Sequence, residues 1–159
     1  PGERVAAVFS HPDDETFGPG GTLAKLARQG AEVHLLCATR GEAGTIGESA
    51  QLGRERLAEI RTRELEDACG VLGIQPPRWL DLPDGGLSEQ PPAQLDDRVV
   101  GFLRTTRPRI VLTFDPGGLS GHADHRTLTA SVARSVVRAG QSEREDLGAP
   151  HGIDRLWYY

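Results

Sequence analysis

Residues 5–15 read VAAVFSHPDDE, an apolar run followed at once by a histidine, a proline and acidic residues. The apolar part is typical of a buried strand, and the glycine-rich GPGG at 18–21 favours a helix start just beyond it. One imidazole and two carboxylates are therefore expected at the carboxyl end of a strand. Open α/β sheets place their chemistry at that edge.

A second polar cluster, HADH at residues 122–125, follows another apolar run, IVLTF at residues 110–114. The patterns predict helices over 20–29, 51–72, 92–106 and 127–139, and strands over 5–9, 31–38, 79–82 and 110–114, with a last strand starting near residue 156. This alternation predicts an α/β fold, a Rossmann-like three-layer sandwich with a mostly parallel sheet. A strand order of 3-2-1-4-5 would bring both polar clusters to one crevice.

The bulk properties favour a single domain spanning residues 1–159. The chain has 159 residues, enough for one sizeable core and too few for two ordinary domains. Its net charge is -5 and it has no basic run, which argues against a nucleic-acid partner. The last residues, LWYY at 156–159, are typical of the start of a strand, so we expect the natural protein to continue beyond them.

The sequence also predicts a location. It has no apolar stretch long enough to cross a bilayer and no signal peptide, so we expect a cytoplasmic protein without a membrane partner. Cys37 and Cys69 form no CxxC pair and are expected to be buried thiols in a reducing compartment. Homo-oligomer formation is left open.

The two polar clusters favour a shared metal site. His11 and Asp14 can turn to one point across Pro12, and a third ligand can come from His125 or His122. Zinc suits such a set, and two histidines with one carboxylate also suit non-haem iron. The less specific alternative is that Asp13 or Asp14 only caps the next helix.

The remaining polar residues of the clusters suit acid–base work. Asp13 lies between two candidate ligands, where a free carboxylate can take a proton from an activated water. His122 could donate a proton or stabilise an oxyanion, and Asp124 could hold its tautomer.

Two other chemistries are disfavoured. A dinucleotide-binding GxGxxG pattern starting at Gly18 would need Gly or Ala where Leu23 stands. Ser10 precedes the first cluster, but no GxSxG elbow surrounds it, so a serine nucleophile is the weaker interpretation.

Taken together, the motifs resemble those of the LmbE-like, or PIG-L, family of metal-dependent N-deacetylases. The matching segments are SHPDDE at 10–15, TRGE at 39–42, RTREL at 61–65, LPDGG at 82–86 and HADH at 122–125. The resemblance covers essentially the whole chain in the expected order.

This resemblance implies a set of residue roles. It makes the zinc ligands His11, Asp14 and His125. It makes Asp13 the general base, and it makes His122 the group that stabilises the oxyanion, with Asp124 as its partner.

The resemblance also points to sugar-binding residues. Arg61 and Asp84 match positions that hold the sugar in family members, although Arg63 competes with Arg61. Some members carry a tyrosine two residues before the second motif, where this chain has Ser120.

The expected function is therefore removal of an N-acetyl group from an N-acetylglucosamine-type substrate, a small-molecule sugar conjugate. Two alternatives remain open. One is a non-catalytic sugar- or nucleotide-sugar-binding domain of the same fold, against which the intact metal and base residues count. The other is a metal-dependent hydrolase of a different amide or an ester.

Overall fold

A computed structural model describes residues 2–44 and 53–159 of the chain. Five parallel strands form one sheet in the order β3-β2-β1-β4-β5, which confirms the predicted strand order. The strands are β1 (Arg4–Phe9), β2 (Glu32–Thr39), β3 (Arg78–Leu82), β4 (Ile110–Thr113) and β5 (Arg155–Tyr158).

Helices connect the strands and cover the sheet. They are α1 (Asp14–Phe17), α2 (Gly20–Arg28), α3 (Arg54–Leu72), α4 (Pro92–Thr106) and α5 (Ala123–Ala139). Short 3-10 turns lie at Leu87–Glu89 and Glu145–Leu147. Among the described residues, none of the helices is both long and apolar enough to cross a membrane.

Two apolar clusters hold the three layers together. Alternate residues of β1 point to opposite faces, so Val5 and Phe9 join one cluster while Ala6 and Val8 join the other. The first cluster also contains side chains of α2 and α3, and the second contains side chains of α4 and α5. Both faces of the sheet are thus buried, as its continuous apolar strands predict. Cys37 and Cys69 are buried free thiols within the first cluster.

The start of one helix differs from the prediction, and one short helix was not predicted. Helix α5 begins at Ala123, with His122 as its N-cap, and not at residue 127. The second motif therefore lies on the first turn of a helix and not in a loop. Helix α1 was not predicted, because it has only four residues. The predicted start of α3 at residue 51 lies outside the described residues, and the described helix starts at Arg54.

The sheet brings four chain segments to one edge. The segments after β1, β2, β3 and β4 all leave from the carboxyl ends of parallel strands. Because β1 and β4 pair directly while their connections run to opposite faces, the point between them is where the topology reverses. A crevice is expected there.

Candidate active site

A cavity of about 410 Å³ opens at this edge of the sheet. The lining residues come from all four segments: His11, Asp13, Asp14, Ala43, Gly44, Arg61, Asp84, Gly85, His122 and His125. Every predicted ligand, the predicted base and both predicted sugar-binding residues thus lie around one cavity.

The three predicted metal ligands meet at its floor. Nδ1 of His11 lies 3.2 Å from Nε2 of His125. The Asp14 carboxylate lies beside both rings, with Oδ2 3.6 Å from Nδ1 of His11 and Oδ1 3.4 Å from Nε2 of His125. Ligand distances of about 2.0–2.2 Å at tetrahedral angles would separate neighbouring donor atoms by about 3.4 Å. The three donor groups are therefore spaced much as ligands of one small cation are, with the two Asp14 distances taken to different oxygens.

Hydrogen bonds on the far sides of the rings fix which nitrogens carry protons. Nδ1 of His125 faces the Gly118 carbonyl at 3.1 Å, so its proton lies there and Nε2 presents a lone pair. Nε2 of His11 faces two carboxylate oxygens, from Asp84 at 3.1 Å and from Asp124 at 3.2 Å. One ring proton lies on that side, so Nδ1 is the nitrogen left to bind a metal ion.

The charges around His11 favour a cation. Burial lowers the pKa of His11, but the surrounding carboxylates, of which Asp124 contributes most, raise it to about 11. The same excess of negative charge that favours a second proton on the ring favours a metal ion at Nδ1. Burial lowers the pKa of His125, which keeps that ring neutral and able to act as a ligand.

His122 lies on the exposed side of the cluster. One of its ring nitrogens lies within 4.8 Å of ligand atoms of His11 and His125, so a three-histidine set is also within reach of a single ion. Its Nδ1 accepts a hydrogen bond from the backbone N–H of Asp124 at 3.1 Å. The proton of the neutral ring then lies on Nε2, the nitrogen that can donate to a ligand.

The Asp124 carboxylate has a different partner from the one predicted. It was expected to hold His122, but its Oδ2 faces His11, and both of its oxygens accept backbone N–H groups, from Gly85 at 2.8 Å and from Leu87 at 3.1 Å. Helix geometry explains why the two side chains do not meet. His122 and Asp124 are two residues apart at a helix start, and such side chains do not face each other.

Asp84 is placed similarly. Its Oδ1 contacts His11, its Oδ2 accepts the N–H of Ala43 at 2.8 Å, and its own N–H donates to Glu42. Burial raises the pKa of Asp84, but the hydrogen bonds from His11 and Ala43 outweigh it, so the pKa is lowered and the group stays ionised. The sequence did not predict that this carboxylate contacts His11.

The structure separates the two candidate arginines of α3. Arg61 donates to Oδ2 of Asp13 at 2.8 Å, to the Gly41 carbonyl at 3.1 Å, and to the Pro12 carbonyl. Arg63 is exposed and lines a separate depression on the outer face of α3. Of the two, only Arg61 borders the cavity.

Three residues were missed by the sequence reasoning. Phe114 stacks on His125 with ring centres 3.9 Å apart and holds that ring in place. The Tyr159 hydroxyl donates to the carbonyl of Asp14 at 3.3 Å. Glu15 is buried against Asp13, and its position inside the first motif was the available signal.

Known proteins resemble this chain in sequence and in structure. A deacetylase of Kineococcus radiotolerans, named for 1D-myo-inositol 2-acetamido-2-deoxy-alpha-D-glucopyranoside, is 37% identical over 92% of this chain and 48% of its own length. A probable N-acetyl-alpha-D-glucosaminyl L-malate deacetylase 2 of Bacillus cereus is 35% identical over 89% of this chain and 64% of its own. The chain thus spans about half to two thirds of these relatives.

One solved structure is similar to this chain both in fold and in sequence. The N,N'-diacetylchitobiose deacetylase of Pyrococcus horikoshii superposes with a TM-score of 0.88 at 30% identity, over 99% of this chain and 60% of its own. Residues 6–136 match the family described as PIG-L, GlcNAc-PI de-N-acetylase. The chain belongs to the PIG-L family of LmbE-like deacetylases.

Proposed function

We propose that this protein hydrolyses the N-acetyl group of an N-acetylglucosamine-type sugar conjugate, using a divalent metal ion, and that zinc is that ion. One observation carries the proposal. Nδ1 of His11, Nε2 of His125 and the carboxylate of Asp14 lie within 3.2–3.6 Å of one another, and Asp13 lines the same cavity. Relatives that act on N-acetylglucosamine conjugates support the substrate class.

The donor set suits a catalytic metal. Two imidazoles and one carboxylate would hold the ion and leave a coordination position open, which is the usual arrangement of catalytic zinc. Iron accepts the same donors and is the alternative. A divalent ion there would polarise the acetyl carbonyl and lower the pKa of a water molecule.

Asp13 is the proposed general base. Its side chain is half exposed at the cavity wall, and burial of the rest raises the pKa of its carboxyl, while the Arg61 guanidinium opposes that rise. A raised pKa makes the carboxylate a better proton acceptor for the attacking water. The bond to Arg61 fixes the direction in which the carboxylate points.

His122 is the proposed oxyanion donor. Its Nδ1 is occupied by the N–H of Asp124, so Nε2–H is available to the oxygen that gains charge as the carbonyl carbon becomes tetrahedral. The amine then leaves with a proton from Asp13 or from His122. Ser120 stands where some family members have a tyrosine, so this chain relies more heavily on His122 for that charge.

The proposed substrate is a small molecule in the cytoplasm, with Arg61 and Asp84 on the sugar side of the cavity. The similar proteins are named for inositol and malate conjugates and for diacetylchitobiose. These compounds share the N-acetylglucosamine unit and differ in the group attached to it. The shared unit is therefore the part we assign to this cavity.

The experiment measures acetate release by the full-length protein from those three compounds, with bound metal quantified in parallel. We expect release from at least one, an activity loss of about 10³-fold or more in Asp13→Ala with metal retained, and loss of metal in His11→Ala. Metal binding without release from any N-acetylated sugar would favour a binding domain. Release from other amides or esters in preference would assign a different hydrolase.

A further inference from the structure

The backbone of Asp13 has a conformation that non-glycine residues rarely adopt. Its φ is 111° and its ψ is -28°. Four other described non-glycine residues have positive φ, but theirs lie between 51° and 58°, in the ordinary left-handed region. Asp13 lies well outside that region. Such a conformation persists only where the surroundings hold it, and it is concentrated at functional sites.

Glu15 supplies one of the contacts that hold the backbone of Asp13. This side chain is only 2% exposed, and its Oε2 accepts the backbone N–H of Asp13 at 3.0 Å. Its Oε1 accepts the hydroxyl of Thr16. A buried carboxylate is costly unless it accepts hydrogen bonds, so the burial of Glu15 and the strained N–H of Asp13 stabilise each other.

Arg61 holds Asp13 through its side chain. Its guanidinium donates to the Asp13 carboxylate and to the carbonyl of Pro12, immediately before the strained residue. Asp13 is thus fixed at its N–H by Glu15 and at its side chain by Arg61. The two contacts come from different parts of the chain, Glu15 from α1 and Arg61 from α3.

We propose that Glu15 is a positioning residue that holds the strained backbone of Asp13 and thereby aims the Asp13 carboxylate into the cavity. This inference rests on the proposed function, in which Asp13 accepts a proton. Without an acceptor for its N–H, residue 13 relaxes to negative φ and its carboxylate turns away from the attacking water. A displacement of about 1 Å at such a group costs about 100-fold in rate.

A purely structural role for Glu15 has different consequences. Glu15 could serve only to cap α1, because the side chain of Asp13 makes no capping bond there. In that case, its replacement would lower stability while the folded fraction kept its turnover. The positioning role lowers kcat in the folded protein and leaves KM and metal affinity in place.

Three substitutions at Glu15 separate these roles in the full-length protein. Glu15→Leu removes the acceptor, and Glu15→Asp keeps the charge but is too short to reach. Glu15→Gln keeps both hydrogen bonds, since its amide oxygen accepts the Asp13 N–H and its amide nitrogen donates to the Thr16 hydroxyl. Glu66→Leu, at an exposed position of α3, is the matched control.

We expect kcat to fall about 10- to 100-fold in Glu15→Leu and Glu15→Asp, with KM within about threefold of wild type. Glu15→Gln and Glu66→Leu should keep kcat within about threefold. The zinc Kd, measured by chelator competition, should change less than threefold in all four. In an Asp13→Ala background, Glu15→Leu should lower the residual rate no further, because the two residues act as one unit.

A measurement that does not depend on turnover tests the positioning role of Glu15 separately from the proposed function. Amide hydrogen exchange at Asp13, followed by NMR, should be at least about tenfold faster in Glu15→Leu and Glu15→Asp than in wild type or Glu15→Gln. If the wild type releases no acetate, the proposed function fails and this exchange still tests Glu15. Unchanged exchange, equal losses in Glu15→Leu and Glu15→Gln, or a further loss in the Asp13→Ala background would overturn the positioning role.

Discussion

The Asp124 carboxylate lies 3.2 Å from Nε2 of His11, on the opposite side of the ring from the nitrogen that faces His125. Asp124 is fully buried and is itself held by two backbone N–H groups. This is the arrangement in which a carboxylate fixes the tautomer and orientation of a metal-binding histidine. Besides His122, the second motif therefore contributes to the site through His125 directly and through Asp124 by way of His11.

Replacing Asp124 should weaken metal binding. Asp124→Asn keeps the volume of the side chain but removes the negative charge that holds the proton on Nε2 of His11. We expect the zinc Kd to rise about 10- to 100-fold. Chelator competition measures it, and Asp67→Asn, at an exposed position of α3, is the control. An unchanged Kd in Asp124→Asn would contradict this role.

Arg61 and Arg63 of α3 offer a matched pair of positions for substitution. Arg61 contacts Asp13 and the backbone at the cavity, whereas Arg63 is exposed on the outer face of the helix. Arg61→Met should lower kcat/KM about 10- to 100-fold, because the base loses its orienting partner. Arg63→Met should stay within about twofold. Acetate release measures both, and equal effects would show that the contact to Asp13 is irrelevant to turnover.

The sequence was sufficient to predict how the site is assembled. His11 and the second motif each follow a buried strand. The two motifs meet in one crevice if β1 and β4 are neighbours in the sheet, and the parallel strand order makes them neighbours. The start of α5 was less accessible. Its first turn carries Asp124 and His125, which are polar residues although both are buried. A pattern of apolar residues therefore recognises the helix only from its second turn onward.

The sequence could not predict which side chains contact one another within the site. Asp124 and Asp84 both contact His11, although 113 and 73 positions separate them from it. Such contacts depend on side-chain directions that the order of residues does not specify. The strain at Asp13 is equally invisible, because it follows from contacts on both sides of the residue. These residues lie in the recognised motifs, which indicates that they are important. Only the three-dimensional structure shows what each one contacts.

A structural prediction concerns the buried Arg104 of α4. Its side chain is 3% exposed and donates only to backbone carbonyls. The acceptors belong to Arg138, Ala139, Gln141, Glu143, Arg144 and Gly148. A single guanidinium thus joins the end of α5 to the segment after it, and it adds a charged donor to carbonyls of which three, those of Arg138, Ala139 and Arg144, also accept a backbone N–H.

Arg104→Met keeps most of the side-chain volume and removes every donor. We expect the free energy of unfolding to fall by about 3–5 kcal/mol, since six backbone carbonyls lose a charged donor at once. Denaturant unfolding measures the loss, and hydrogen exchange should rise across 138–148. Arg28→Met, on the exposed side of α2, is the control and should change stability by less than about 0.5 kcal/mol. Equal stabilities for the two variants would contradict this account.

The last prediction concerns pH. Burial lowers the pKa of His34 in β2 below 6.5, opposed by Glu32 and assisted by Arg78 and Arg4. The unfolded chain then binds the proton more readily, so stability present above pH 6.5 is lost as the pH falls through that value towards the folded pKa. His34→Gln cannot titrate, and its unfolding free energy should fall less steeply between pH 7 and pH 5, by at most about 1.4 kcal/mol per pH unit. Denaturant unfolding in chelator-containing buffer compares the two slopes, and identical slopes would show that His34 does not contribute.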